Sequence, residues 1–147
     1  MTLLYLDDLS IGQRFTSAPH VVEEAEIKAF ATQYDPQPFH LDHEAAKATI
    51  FGGLAASGWH TAAITMKLLV GCTPLAGGIL GAGGELAWPK PTRPGDSLQV
   101  TAEITEIIRS KSRPDRGSAM MRIETKNQHG ELVQTFSVRT VVPVKPA

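Results

Sequence analysis

Gly58-Trp59-His60-Thr61-Ala62-Ala63-Ile64-Thr65-Met66-Lys67-Leu68-Leu69-Val70 is the stretch on which the fold turns. Trp59, Ala62, Ala63, Met66, Leu69 and Val70 recur at helical spacing as one apolar stripe, and Ile64 and Leu68, which lie off it, are apolar too. A helix that is apolar nearly all round is buried on most sides. In a chain of 147 residues, a sheet wrapped around the helix is the economical way to bury it. The stretch carries His60 and Lys67 and falls short of the roughly 20 residues a bilayer requires, so it predicts no membrane span.

The sheet is written in the second half of the chain. Leu98, Val100, Ala102 and Ile104 alternate with Gln99, Thr101, Glu103 and Thr105, a period of two. Ala119, Met121 and Ile123 alternate with Met120, Arg122 and Glu124, and Leu132, Gln134, Phe136, Val138 and Thr140 form a third run. Asn127 to Gly130 reads as the hairpin between the last two runs, and Arg109 to Gly117 as a longer loop between the first two. Further strands are expected near Gly84 to Trp88 and Arg14 to Ser17. The fold class is α+β: an antiparallel sheet curled around one long helix, with residues 1–147 as a single domain.

Composition narrows the function. Lys and Arg number 14 and Asp and Glu 15, so the net charge of −1 lacks the basic excess of a nucleic-acid-binding protein. Cys72 is the only cysteine, which excludes an intrachain disulfide and a multi-thiolate zinc site. His20, His43, His60 and His129 follow no ligand spacing, and His40 with His43 lacks a third partner, so no metal is expected. The first twelve residues carry Asp7 and Asp8 and no basic region, unlike a signal peptide; the expected location is cytoplasmic. Charged residues make up 20%, below the usual quarter, as in a chain that hides surface in an oligomer.

Reactive groups concentrate upstream of the long helix. Glu23 to Tyr34 reads as a helix with Ile27, Phe30, Ala31 and Tyr34 on one face; Pro36 and Pro38 stop it, and Asp42 caps a short helix through Lys47. Asp35 and His40 lie five residues apart with both prolines between them, which stiffens the connection. A carboxylate and an imidazole held close can share one water, take its proton and return a proton to substrate. Spacing alone equally allows Asp35 as a turn cap and His40 as a surface or satisfied core histidine. Downstream, small residues lead from Gly52 to Gly58. A helix N-terminus there offers free N–H groups and partial positive charge, and Gly58 admits a ligand carbonyl close to its backbone. Ser57 acting simply as the helix cap fits the same residues.

Taken together, Leu9-Ser10-Ile11-Gly12-Gln13-Arg14-Phe15, Phe30-Ala31, Asp35 with His40-Leu41-Asp42, Ala45-Ala46, Gly58 and Pro91-Thr92-Arg93-Pro94-Gly95-Asp96 resemble the MaoC-like family of hot-dog-fold proteins. That family includes the (R)-specific enoyl-CoA hydratases. The resemblance implies that Asp35 and His40 activate water for addition to C3 of a trans-2-enoyl-CoA and deliver a proton to C2. It implies that the Gly58 N–H binds the thioester oxygen, and that the product is a (3R)-3-hydroxyacyl thioester. No cofactor is implied. Tyr34, Gln37, Ser57 and Trp59 are the accompanying candidates for substrate binding. Gln37 stands where the family usually has Asn, Ser57 where many hydratases have His, and Met66, beside Thr65, where some have Ser.

The resemblance further implies an acyl-CoA (enoyl-CoA) partner and a homodimer or dimer of dimers, since an isolated sheet of this kind leaves open edges. Two alternatives share the fold: an acyl-CoA thioesterase, against which the Asp35 and His40 pair argues, and a non-catalytic acyl-CoA-binding subunit. Arg109, Lys111, Arg113 and Arg116 form a solvated hairpin tip or attract CoA phosphates, and Arg93 is a second candidate for that role.

Overall fold

The computed structural model describes residues 2–147. After a 3-10 turn at Leu6–Asp8 come β1 (Arg14–Thr16), β2 (His20–Val21), α1 (Glu24–Tyr34), α2 (Pro38–Leu41), α3 (His43–Lys47) and α4 (Gly58–Cys72). The chain then runs through β3 (Leu80–Ala87), β4 (Ser97–Arg109), β5 (Arg116–Lys126) and β6 (Leu132–Pro143). All strand pairs are antiparallel, in the order β1-β4-β5-β6-β3, with β2 also on β4.

The register explains the core. Ala102 on β4 faces Ile123 on β5, which in turn faces Phe136 on β6. Leu98, Val100, Ala102, Ile104, Ala119, Met121 and Ile123 are all fully buried, so one face of the sheet is continuous and apolar. Ile64, Leu68 and Leu69 of α4 join them in the same cluster. This is the hot-dog arrangement, a curved antiparallel sheet with a central helix.

The structure shifts the buried face of that helix. Its buried residues are His60, Thr61, Ile64, Thr65, Leu68 and Leu69, whereas Trp59, Ala63 and Val70 from the expected stripe are exposed. The hydroxyls explain the difference. Thr65 shares a hydrogen bond with Thr125 at 2.7 Å and Thr61 with Thr92 at 3.0 Å, so each threonine is buried with its polar atom satisfied. A count of apolar residues does not register such pairs.

The remaining differences are at boundaries. Glu23 precedes α1 as its N-cap residue, its N–H donating to Glu26 Oε1 at 2.8 Å. Asp42 caps α3 by accepting the Glu44 N–H at 3.1 Å. The β4–β5 connection is shorter than expected, because Arg109 still pairs with Gly117 across the two strands. The Pro94-Gly95-Asp96 turn before β4 needs its glycine, whose φ is +85°.

Candidate active site

Asp35 ends α1, and the chain turns at once. The Gln37 N–H donates to the Asp35 carbonyl and the His40 N–H to the Gln37 carbonyl, at 2.8 and 3.0 Å. Pro38 opens α2, a position where its missing donor costs nothing. This brings the imidazole of His40 back toward Asp35, with Nε2 3.4 Å from Oδ2.

The other ring nitrogen defines the tautomer. His40 Nδ1 lies 2.6 Å from the Ala55 carbonyl oxygen, which can only accept, so Nδ1 carries the proton. In the neutral ring Nε2 is then the unprotonated nitrogen, and it is the one beside Asp35. His40 is buried and packs edge-on against Phe39.

Asp35 is held by two donors. Ser57 Oγ donates to Oδ2 at 2.7 Å and Gln37 Nε2 to Oδ1 at 2.6 Å. Burial pushes the carboxyl upward, but the hydrogen bonds from Ser57 and Gln37, with the charge of His40, outweigh it and hold Asp35 below its ordinary range. Asp35 is therefore an anion at neutral pH.

Ser57 also accepts the Trp59 N–H at 3.2 Å, so one hydroxyl caps α4 and ties the helix start to the carboxylate. Gly58 follows as the first helical residue, where an N–H has no intrahelical acceptor. A cavity of about 290 Å³ opens beside it, walled by His40, Phe51, Ala56, Gly58, Thr61 and Trp88 among others.

Asp35, Gln37, His40, Ser57 and Gly58 thus come together in space. Tyr34 and Trp59 stand on the surface instead, Tyr34 against Phe30 and Trp59 edge-on to Trp88. Three contributors escaped the sequence reading. The Ala55 carbonyl is backbone and leaves no side-chain signal. Thr61 and Thr92 pair across 31 positions, a separation no local pattern reveals.

Arg93 is used differently from the phosphate role considered for it. Its guanidinium donates to the carbonyls of Phe51, Gly53 (3.0 Å) and Leu54 (3.3 Å), clamping the segment that ends in Ala55. Arg109 pairs with Asp7 and Arg116 with Asp115. Both lie at the end of the β4–β5 pair remote from Ser97, roughly 40 Å along β4 at about 3.3 Å per residue. Among the described residues no group of three or more His, Cys, Asp or Glu is placed to hold a metal ion. No helix among them is long and apolar enough to cross a membrane.

A six-stranded antiparallel sheet around a central helix defines a hot-dog protein, and here an Asp–His pair lies at the helix start. Residues 8–127 match the MaoC like domain, and the chain belongs to that family. The crystal structure of the MaoC-like dehydratase from Rhodospirillum rubrum is 59% identical, with a TM-score of 0.96, over 98% of this chain and 99% of that one. The uncharacterized protein YdeM of Bacillus subtilis is 33% identical over 126 residues, 84% of this chain and 87% of YdeM. The 3-hydroxybutyryl-CoA dehydratase of Methylorubrum extorquens is 30% identical over 118 residues, 77% of this chain and 71% of the dehydratase.

Proposed function

We propose that this protein is a cytoplasmic hydro-lyase that adds water reversibly across a trans-2-enoyl-CoA to give a (3R)-3-hydroxyacyl-CoA, acting as a homodimer. One observation carries the reading. A carboxylate and an imidazole nitrogen lie 3.4 Å apart, beside a cavity that the first residue of a long helix helps to wall. Kinship with a 3-hydroxybutyryl-CoA dehydratase supports the substrate class, and resemblance to (R)-specific hydratases supports the stereochemistry.

The chemistry follows from the hydrogen bonds. Both Asp35 oxygens already accept a donor, so the carboxylate is a weak base but a strong fixed charge. A water held between Asp35 and His40 gives its proton to His40 Nε2 while its oxygen bonds to C3. The imidazolium that forms is stabilised by Asp35. Electron density moves from the C2–C3 double bond to the thioester oxygen, which the Gly58 N–H receives. His40 Nε2–H then donates its proton to C2, and the thioester carbonyl reforms. One water has been consumed and the base is restored.

The test is direct. With crotonyl-CoA, loss of enoyl absorbance with the thioester intact is expected, and release of free thiol would point to a thioesterase. Asp35→Asn and His40→Ala are each expected to lower kcat by about 10²–10⁴ with the fold preserved by circular dichroism. Substantial hydration by either variant would overturn these roles.

A further inference from the structure

Trp88 follows β3 and stands directly over the start of α4. A Cβ placed on Gly58 would lie 2.7 Å from Cδ2 and Cε2 of the Trp88 indole and 2.9 Å from Cε3. No side-chain carbon fits there. Gly58 does not have a positive φ, so glycine is required at this position by the indole and not by the backbone. The indole is in turn fixed, its Nε1–H donating at 2.9 Å to Oε1 of Gln134, a β6 residue only 1% exposed. Trp59 closes on it edge-on, with ring centroids 5.1 Å apart.

The cavity that Trp88 walls has a buried floor and an open mouth. Ala56, Thr61 and Thr92 are buried, while Pro89 and Lys90 at the other side are exposed. Its volume of about 290 Å³ sits at the bottom of the range of ligand pockets, about 300–1,000 Å³. The cavity is small for a ligand pocket, and Trp88 forms part of the wall that bounds it.

We propose that Trp88 is the specificity-determining wall of this site, its Gln134-anchored indole restricting the acyl group to short chains while lying against the Gly58 backbone. This rests on the hydratase reading above and adds the substrate size. Its hydrogen bond to the buried Gln134 holds the indole in this position over Gly58. Removing it opens the space over Gly58.

Two measurements test the assignment. In the first, kcat/KM is compared for crotonyl-CoA and 2-octenoyl-CoA. The wild-type protein is expected to prefer the four-carbon chain by at least about tenfold. Trp88→Ala is expected to raise the octenoyl-to-crotonyl ratio by a similar factor, and Trp88→Phe to restore most of the original preference. A merely structural role would lower both substrates together and leave the ratio alone.

The second measurement covers a Trp88→Ala protein that fails to fold. The chain has two tryptophans, so Trp59→Phe leaves Trp88 as the only indole emitter. Crotonyl-CoA is expected to change its emission saturably. Unchanged emission during turnover, or an unchanged substrate ratio in folded Trp88→Ala, overturns the Trp88 assignment and leaves the hydratase reading standing. A wild-type protein inactive on both thioesters overturns the hydratase reading, and this proposal with it.

Discussion

Ser57 Oγ donates to Asp35 Oδ2 at 2.7 Å and accepts the Trp59 N–H at 3.2 Å, so two separable effects follow from deleting it. The first is loss of a helix cap, about 1 kcal/mol, or about 2–4 °C in Tm for a domain of this size. The second is electrostatic. Asp35 is held below its ordinary value against the upward push of burial, with Ser57 the leading favourable contact. A depressed carboxyl contributes stability that is present above the unfolded pKa and is lost as pH falls through the folded one. Ser57→Ala therefore raises the Asp35 pKa, which an NMR titration of the Asp35 carboxyl carbon reads directly. Ser57→Thr, which keeps an oxygen in place, is expected to leave that titration near its original position. An Asp35 titration unmoved in Ser57→Ala would remove Ser57 from the control of Asp35, whatever happens to Tm.

At the scale of elements, α4 is where reading the sequence succeeded in existence and failed in orientation. Its start at Gly58 and its apolar character were legible, because Ser57 can cap it and Trp59, Ala62, Ala63, Met66, Leu69 and Val70 recur at helical spacing with Ile64 and Leu68 apolar beside them. The alternating runs of β4, β5 and β6 were equally plain, since each buries one face. The side of α4 turned to the sheet was not legible. It depends on Thr61 and Thr65 finding hydroxyl partners 31 and 60 residues away. The site divides in the same way. Asp35 and His40 stood out through their own spacing, whereas the Ala55 carbonyl, Trp88 and the Arg93 clamp reach it by long-range packing. His60 on the same helix has a further consequence. It is buried, stacks on Phe30 with centroids 4.7 Å apart, and its Nδ1 has no partner among the described residues. Nε2 lies 3.9 Å from Glu26, which also pairs with His20. Burial pushes the imidazole below its ordinary value of 6.5, Glu26 opposes that, and His20 adds to it. Below that pH the unfolded chain takes up a proton that folded His60 resists, so stability is lost as pH falls. One group supplies at most about 1.4 kcal/mol per pH unit. Urea midpoints at pH 7.5 and 5.5 are expected to fall less for His60→Phe, which keeps the stack, than for wild type. Parallel losses in the two proteins would acquit His60.

For the whole molecule, the unresolved business of the surface is β3. It hydrogen-bonds to β6 along one edge, no other strand among the described residues covers the opposite edge, and every residue of Leu80–Ala87 except Leu86 is exposed. At Gly84 the glycine has a steric reason: a Cβ there would run into the Ser137 carbonyl of β6. Eight residues of bare strand invite pairing unless charge, proline or a covering element prevents it. β3 carries one charge, Glu85, and no proline. Leu80 lies 61% exposed at one end of the strand and Trp88 39% exposed just past the other, with the exposed Trp59 edge-on to Trp88. Exposed apolar groups gathered around an open edge mark a contact surface more than a solvated one. The 20% content of charged residues agrees, because a chain that covers part of its surface with its own copy requires fewer charges to stay soluble. Sedimentation equilibrium at micromolar concentration is therefore expected to return twice the chain mass. Leu80→Lys combined with Ala82→Lys, which adds like charges along the edge without touching Asp35, His40 or Gly58, is expected to shift the protein toward monomer with its far-ultraviolet circular dichroism intact. A wild-type monomer at those concentrations, or a double variant that remains dimeric, would move the interface off β3.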